Sequence, residues 1–385
     1  MKNYFGIVLA GFFLLSPALI ASAEEPVQIL VAGQNGSTSA PVEATVQLDS
    51  GPRQAADDNG ADRLWRGHFV AGAGAYIIKP YFQDNPAFFA RRTTISSGGT
   101  TFSMETSTCQ HDFCWGLDAA PIIWLGYVSE CGLGVRARWW LFDQRSATSA
   151  VSDANTTILS ASPGGLSIIS PSFFGSPLFP VLNSTPTFTS SNLKLDVWDF
   201  EATQETAVGR WALLFSAGFR YAHLSQDYDA IQASVRGTPP GPVGILTVIF
   251  RQTESLTSGH NFNGAGPTLA IEGRRPLGNS GISLFANLRG TMLFGQSKQR
   301  VDQTTVTKVF DFSSIAVTDF AYVRDTVLPV AELEMGVEYA RTWRAVRPFL
   351  RTGLVAQTWF DAGSASSLDG NLGFLGLSVT AGLNY

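Results

Sequence analysis

The chain has 385 residues, a formal net charge of −5, 45% hydrophobic and 12% aromatic residues, and only 15% charged residues. That balance is too acidic for a general nucleic-acid binder. With 38 glycines it is also unlike an ordinary soluble domain and suits a chain whose surface meets lipid.

Lys2 precedes an almost wholly apolar run, Tyr4 to Ile20, and Ala21-Ser22-Ala23 forms a small-residue cleavage box ahead of Glu24-Glu25-Pro26. Residues 1–23 therefore read as a secretory signal peptide; an uncleaved anchor helix fits the box and the acidic pair less well. Removal of Lys2 takes the charge from −5 to −6. No second run of about 18 apolar residues follows, so no helical membrane span is expected. Residues 24–64 are polar, rich in Ala, Gly, Ser and Asp, and without periodicity, which predicts a flexible periplasmic leader.

From Trp65 to Tyr385 the pattern becomes strand-like. Ten segments have about the length of a tilted membrane-crossing strand: Gly67–Lys79, Trp115–Val128, Leu133–Asp143, Leu193–Gln204, Trp211–Ser225, Asn261–Arg274, Ile282–Phe294, Val327–Ala340, Val346–Phe360 and Leu372–Tyr385. In the last, Leu375, Leu377, Val379, Ala381 and Leu383 share one face, and Gly376, Ser378, Thr380, Gly382 and Asn384 share the other. A strand sends alternate side chains to opposite faces, so one face is apolar and the other small or polar. A soluble sandwich could use one such strand with its charged face in water. A membrane barrel would turn the apolar face to lipid and the charged face to the lumen.

The connections separate these readings. Ser129–Gly132, Glu205–Gly209, Arg275–Gly281 and Arg341–Ala345 are short; Pro80–Cys114, Gln144–Asn192, Gln226–His260 and Gly295–Thr326 are long. Short periplasmic turns, long external loops and an even strand count define an all-β, antiparallel up-and-down transmembrane barrel spanning 65–385, with both ends in the periplasm. The long Ser/Thr-rich stretch 146–191 is a loop in this reading. The apolar run Val243–Phe250 has three open readings: a raised hairpin, an inward plug or an eleventh strand.

This topology predicts two aromatic girdles at headgroup depth: Trp65, Tyr127, Trp211, Tyr339, Phe349 and Tyr385 at the periplasmic level, and Tyr76, Trp115, Trp139, Trp140, Tyr221, Phe294, Trp359 and Phe374 at the external level. Trp124 and Trp198 fit less well. The fourth segment loses phase where Leu193, Leu195 and Val197 lead into Asp199 and Glu201, and a bulge near Trp198 would restore it. By the same parity the lumen is lined by Arg136, Arg138, Arg220, Arg289 and Arg351 opposite Glu272, Glu332, Glu334 and Glu338. Such arrays either tune passage of solutes or pair off and fill the barrel. Ten strands stand near the filled limit.

Of the three cysteines, Cys109 and Cys114 form a plausible local disulfide in an oxidising compartment, leaving Cys131 over. No C-x-x-C, H-x-x-x-H or H-E-x-x-H pattern occurs, so neither metal nor cofactor is expected. His223, Ser225 and Asp227 near the external rim raise a rim hydrolase as an option, but no further motif supplies the orienting group that catalysis needs.

Val135–Gln144, Gly218–Gln226, Phe262–Leu277, Leu284–Gly295 and Asn371–Tyr385 resemble the Legionella-type major outer-membrane protein family, in blocks across most of 65–385. The resemblance implies an outer-membrane location and a pore, and tips the even balance between narrow channel and filled barrel toward a channel for small polar solutes. The terminal aromatic strand resembles the signal read by the bacterial barrel-assembly machinery. Partners are then outer-membrane lipid, that machinery and small solutes, and no enzyme activity is expected. A structural or adhesive barrel acting through its long loops is the alternative.

Overall fold

The computed structural model describes residues 67–98, 101–152, 156–160, 185–237, 249–344, 346–367 and 370–385. The expected signal peptide 1–23, leader 24–64 and girdle residue Trp65 lie outside the described residues, as does most of the Val243–Phe250 run.

Ten strands close into one antiparallel barrel. They are β1 (His68–Phe82), β4 (Asp118–Val128), β5 (Leu133–Ser152), β7 (Thr185–Val208), β8 (Trp211–Gly237), β9 (Ile249–Pro276), β10 (Ile282–Val309), β11 (Phe312–Ala340), β12 (Arg347–Trp359) and β13 (Leu372–Asn384). Each pairs with its neighbour along the chain, and β13 returns to pair with β1 from Val70↔Asn384 to Phe82↔Leu372. The expected barrel is thus present with its ten strands. Three further strands, β2 (Pro86–Gly98), β3 (Thr101–Asp112) and β6 (Thr156–Ser160), form a separate small sheet from the external connections. Ile249 and Phe250 enter β9 and extend a hairpin, so no eleventh barrel strand arises from them.

The wall is uneven. β8 to β11 run for 27, 28, 28 and 29 residues, whereas β4, β12 and β13 have 11, 13 and 13. About ten residues cross the bilayer, so the β8–β11 wall continues far beyond it on the external side. The β9–β10 ladder skips Met292 and Leu293 opposite Gly266 and Pro267, where proline has no N–H to donate.

The β5–β7 ladder runs without a shift from Leu133↔Gln204 to Ser152↔Thr185. The expected bulge near Trp198 is absent. Leu193, Leu195, Val197, Asp199, Glu201 and Thr203 all face inward on one unbroken phase and are buried. What changes at Trp198 is the surroundings. Below it the outward face is Trp198, Phe200 and Ala202, against lipid; above it, Lys194 and Asp196, against water. The same inversion occurs on β8 after Tyr221, on β5 after Leu141 and on β10 after Phe294. The inward face there becomes Ala222 and Leu224 on β8 and Phe142 on β5, while on β10 the apolar inward residue, Leu293, comes just before Phe294. The barrel is therefore polar inside where lipid surrounds it, carries an apolar band inside just above that level, and turns polar again inside higher on the tall wall, with Gln226, Ser258, His260 and Gln299 buried there.

Candidate functional site: the barrel interior

Within the membrane section the interior is a charged layer. Asp199 on β7 accepts from Arg138 on β5, with Nε at 2.8 Å, and from Arg220 on β8 at 2.6 Å. Glu332 on β11 lies 3.2 Å from Arg138 and 3.7 Å from Arg289, and also accepts from Arg220. Glu201 on β7 binds Arg136 at 2.7 Å and also Arg289. Nearer the periplasm, Arg351 on β12 donates to Glu338 at 2.7 Å and reaches Glu272 at 2.9 Å, with Arg274 3.1 Å from Glu272. Arg136 reaches both groups through Glu201 and Glu272. Paired strands put directly opposed residues on the same face, which is why Arg138↔Asp199 and Arg220↔Asp199 meet side by side.

The structure brings Arg136, Arg138, Arg220, Glu272, Arg289, Glu332, Glu338 and Arg351 into this layer. Glu334 shares their face, and among the described residues it makes no ion pair. Sequence reasoning missed Asp199 and Glu201, taken as a phase error, and Arg274 and Arg347 at the strand ends. The signal for the two acids was the odd-numbered run itself, read with a change of medium at Trp198.

Above the charged layer is an apolar one. Trp140, Phe142, Leu193, Leu195, Val197, Leu224, Phe262, Trp359 and Phe374 are fully buried, and Phe374 meets Phe142 and Trp140 edge-on at 5.2 and 6.3 Å. Four residues expected in the external girdle, Tyr76, Trp140, Trp359 and Phe374, belong here instead, and Trp115 is buried above them. Phe349, expected at the periplasmic level, also turns inward and stacks on Trp124. Their distance along the strand is right for a girdle but their parity is wrong: Tyr76 aligns with inward Ile78, and Trp359 with Val355 and Gln357. Trp211, Tyr221, Tyr339 and Tyr385 face outward and are exposed, with Trp139 half-buried beside Trp198.

Described loop residues pack into the external mouth. Gln226 donates to the Gly363 carbonyl, and Ser258 and Gln299 both donate to that of Ala365. Ser364 donates to the Asp84 carbonyl and Tyr228 to that of Ala87. The connection after β12 is thereby stitched across the lumen to the tall wall.

Cys109 and Cys114 are both free and exposed, which corrects the expected disulfide. Cys109 lies on β3, paired with Ala90. β3 ends at Asp112, so Cys114 lies beyond the strand that holds Cys109. His223, Ser225 and Asp227 sit on the outer face of β8; the Nδ1 of His223 faces Asn263 Oδ1 at 2.6 Å.

A family model described as Legionella pneumophila major outer membrane protein precursor matches residues 66–378. The chain belongs to this family. It is an outer-membrane β-barrel. Among solved structures, the Escherichia coli outer-membrane protease OmpT aligns over 83% of this chain and 96% of its own at 9% identity, with a TM-score of 0.34. The P. putida toluene transporter TodX aligns over 83% and 89% at 9% identity, with a TM-score of 0.19. Likeness this remote carries neither protein's activity to the chain. No curated protein matches it.

Proposed function

We propose that this family member is a porin-like barrel that is closed at rest and passes small polar solutes when its external apolar layer opens. The carrying observation is the density of ionised side chains inside the membrane section: seven arginines (Arg136, Arg138, Arg220, Arg274, Arg289, Arg347, Arg351) and five carboxylates (Asp199, Glu201, Glu272, Glu332, Glu338) in one bridged set. Buried ion pairs add little to stability compared with apolar packing of the same volume. Charges at membrane depth by default mark a solute or ion pathway. Rearrangement of the bridges would leave guanidinium and carboxylate groups free to replace a solute's hydration.

A second reading has its own support. The apolar layer and the 361–367 loop seal the external side, as a structural or adhesive barrel presenting its long loops would need. Single-channel recording of refolded protein separates the two. The channel reading expects rare, small openings that become frequent in Trp140→Ala/Phe374→Ala, which empties the apolar layer. Silence in both proteins supports the structural reading.

We propose no catalytic role. His223, Ser225 and Asp227 point away from the interior and His223 has an amide, not a carboxylate, at its Nδ1. Lipase or protease activity that disappears in His223→Ala would refute this. We further propose that the aromatic-ended β13 is the element read by barrel-assembly machinery; deletion of Tyr385 should then slow insertion in vivo while leaving refolding in detergent intact.

A further inference from the structure

Above the membrane, β11 has one open side. β12 leaves it at Val330↔Trp359, where the Phe360 N–H donates to the Pro329 carbonyl at 2.9 Å. Among the described residues no strand continues on that side. Every residue from Phe310 to Val323 is exposed, whereas β10 at the same height, paired on both sides, is half-buried from Asp302 to Thr307. Phe312 is 81%, Ile315 68% and Val317 66% exposed. Lys298, Arg300 and Asp302 stand opposite Val323, Ala321 and Asp319, so this section lies in water. The far side of the tall wall differs. There β5, above its pairing of Trp140 with Ile122, is met by the 113–116 connection, with Ser146 donating to the Cys114 carbonyl and Gly116 beside Gln144.

The composition of this section suits pairing. Alternate residues of a strand direct their N–H and C=O groups to the same side, so Phe312–Val323 offers a row of donors and acceptors about 40 Å long at roughly 3.3 Å per residue. Proteins blunt a bare edge with lysine, proline or a bulge. This stretch has no Lys, Arg or Pro, its ladder to β10 has no shift, and Asp319 is its one charge. By parity Ile315, Val317 and Val323 line its outer face, and Phe312, Phe320 and Tyr322 its inner face. Both faces therefore carry the β-branched and aromatic residues that stabilise cross-strand pairs.

We propose that the Phe312–Val323 edge docks an extended segment of another protein by β-strand addition on the external side. Main-chain hydrogen bonds supply the affinity, and the two apolar rows select alternate β-branched or aromatic side chains. A lipid tail has no group to satisfy the edge, and the edge offers a charged ligand only one carboxylate to read. The inference goes beyond the channel reading and holds whether or not the barrel conducts.

The full chain in lipid nanodiscs, titrated with a fluorescent peptide of about ten alternating Thr and Val residues, the upper end of ordinary strand length, tests this by anisotropy and amide hydrogen exchange. Amides on the open side of Phe312–Val323 should exchange rapidly in the free protein and slow when the peptide is added. The fully N-methylated peptide keeps every side chain but no backbone donor, and should not bind. Ile315→Lys/Phe320→Lys, which puts lysine on both faces of the edge, should weaken binding by at least about tenfold, the scale of one lost anchor. Thr253→Lys/Thr304→Lys adds the same charge to the outer faces of β9 and β10 and should leave binding unchanged. Slow exchange in the free protein would overturn the proposal, because another part of this chain or a second copy would already cover the edge. So would no slowing by the peptide, equal binding of the methylated peptide, or unchanged binding by the edge-lysine variant. The same protection from phosphatidylcholine vesicles in place of the peptide would make the strip a lipid contact and overturn it too.

Discussion

Replacing Glu332 with Gln asks whether water reaches the charged layer. Glu332 serves three arginines from three strands: Arg138 at 3.2 Å, Arg289 at 3.7 Å, and Arg220 directly. Arg220 is fully buried and Arg289 almost so. With the charge gone, these three guanidiniums share Asp199 and Glu201, and Glu201 is also held by Arg136. Removing one partner of a buried pair costs roughly 3–5 kcal/mol because the other charge is left uncompensated. An exposed, hydrated pair would cost about 0–1 kcal/mol. Equilibrium urea unfolding in lipid vesicles, followed by tryptophan fluorescence, distinguishes the two ranges. The charge-balanced Arg220→Met/Glu332→Leu should recover most of the loss, since it removes both members together. A loss below about 1 kcal/mol for Glu332→Gln would refute the reasoning, because it would mean the interior is screened by water.

Three other outcomes follow from particular contacts. A side chain at Gly72 would place its Cβ 2.2 Å from the Trp124 ring, so Gly72→Val should lift that ring off Phe349 and cost about 1–3 kcal/mol by overpacking, measured by the same unfolding assay. His260 lies on β9 beyond the membrane, beside Ser297, and burial first, then Arg324, pushes its pKa down from 6.5 to about 4. The folded state therefore binds the proton less readily than the unfolded one. Stability should be intact above pH 6.5 and fall as pH drops toward 4, by up to about 3 kcal/mol, and His260→Gln should flatten that loss in melting curves across the range. Thiol titration without reductant should find all three cysteines free. Cys131 should react first, because the Ser129 hydroxyl and then the Leu133 backbone lower its thiol pKa and favour the thiolate; failure of Cys109 and Cys114 to react until reduced would restore the disulfide.

The barrel was legible because two independent patterns coincide, period-two alternation and the short–long rhythm of connections. The extra length of β8 to β11 was not, because above the bilayer the outward face turns polar and the pattern no longer looks like a membrane strand. That inversion explains both errors at the site. Asp199 and Glu201 were read as out of phase because apolar Leu193, Leu195 and Val197 were assumed to face lipid. Tyr76, Trp140, Trp359 and Phe374 were assigned to a girdle by height, when parity puts them in an apolar core. The partners of each arginine depend on register, and register across a barrel is set by all ten ladders together.

The seam between β1 and β13 sets the order of assembly. Every other barrel pairing joins strands that are consecutive in the barrel, with β2 and β3 intervening between β1 and β4 and β6 between β5 and β7, so the other nine ladders span far less chain, the faster kind of contact. The seam alone joins Val70 to Asn384, 384 − 70 = 314 positions apart. Loop-closure entropy rises only by about 0.6 kcal/mol per doubling of length, so this last step is not expensive in chain entropy. Its weight lies in timing. Until it happens the nascent sheet has two open edges, which hydrocarbon cannot solvate and which other chains can pair with. Shortening the final strand would thus do more than thin the wall by one part in ten; it would leave the whole cylinder as an unclosed sheet.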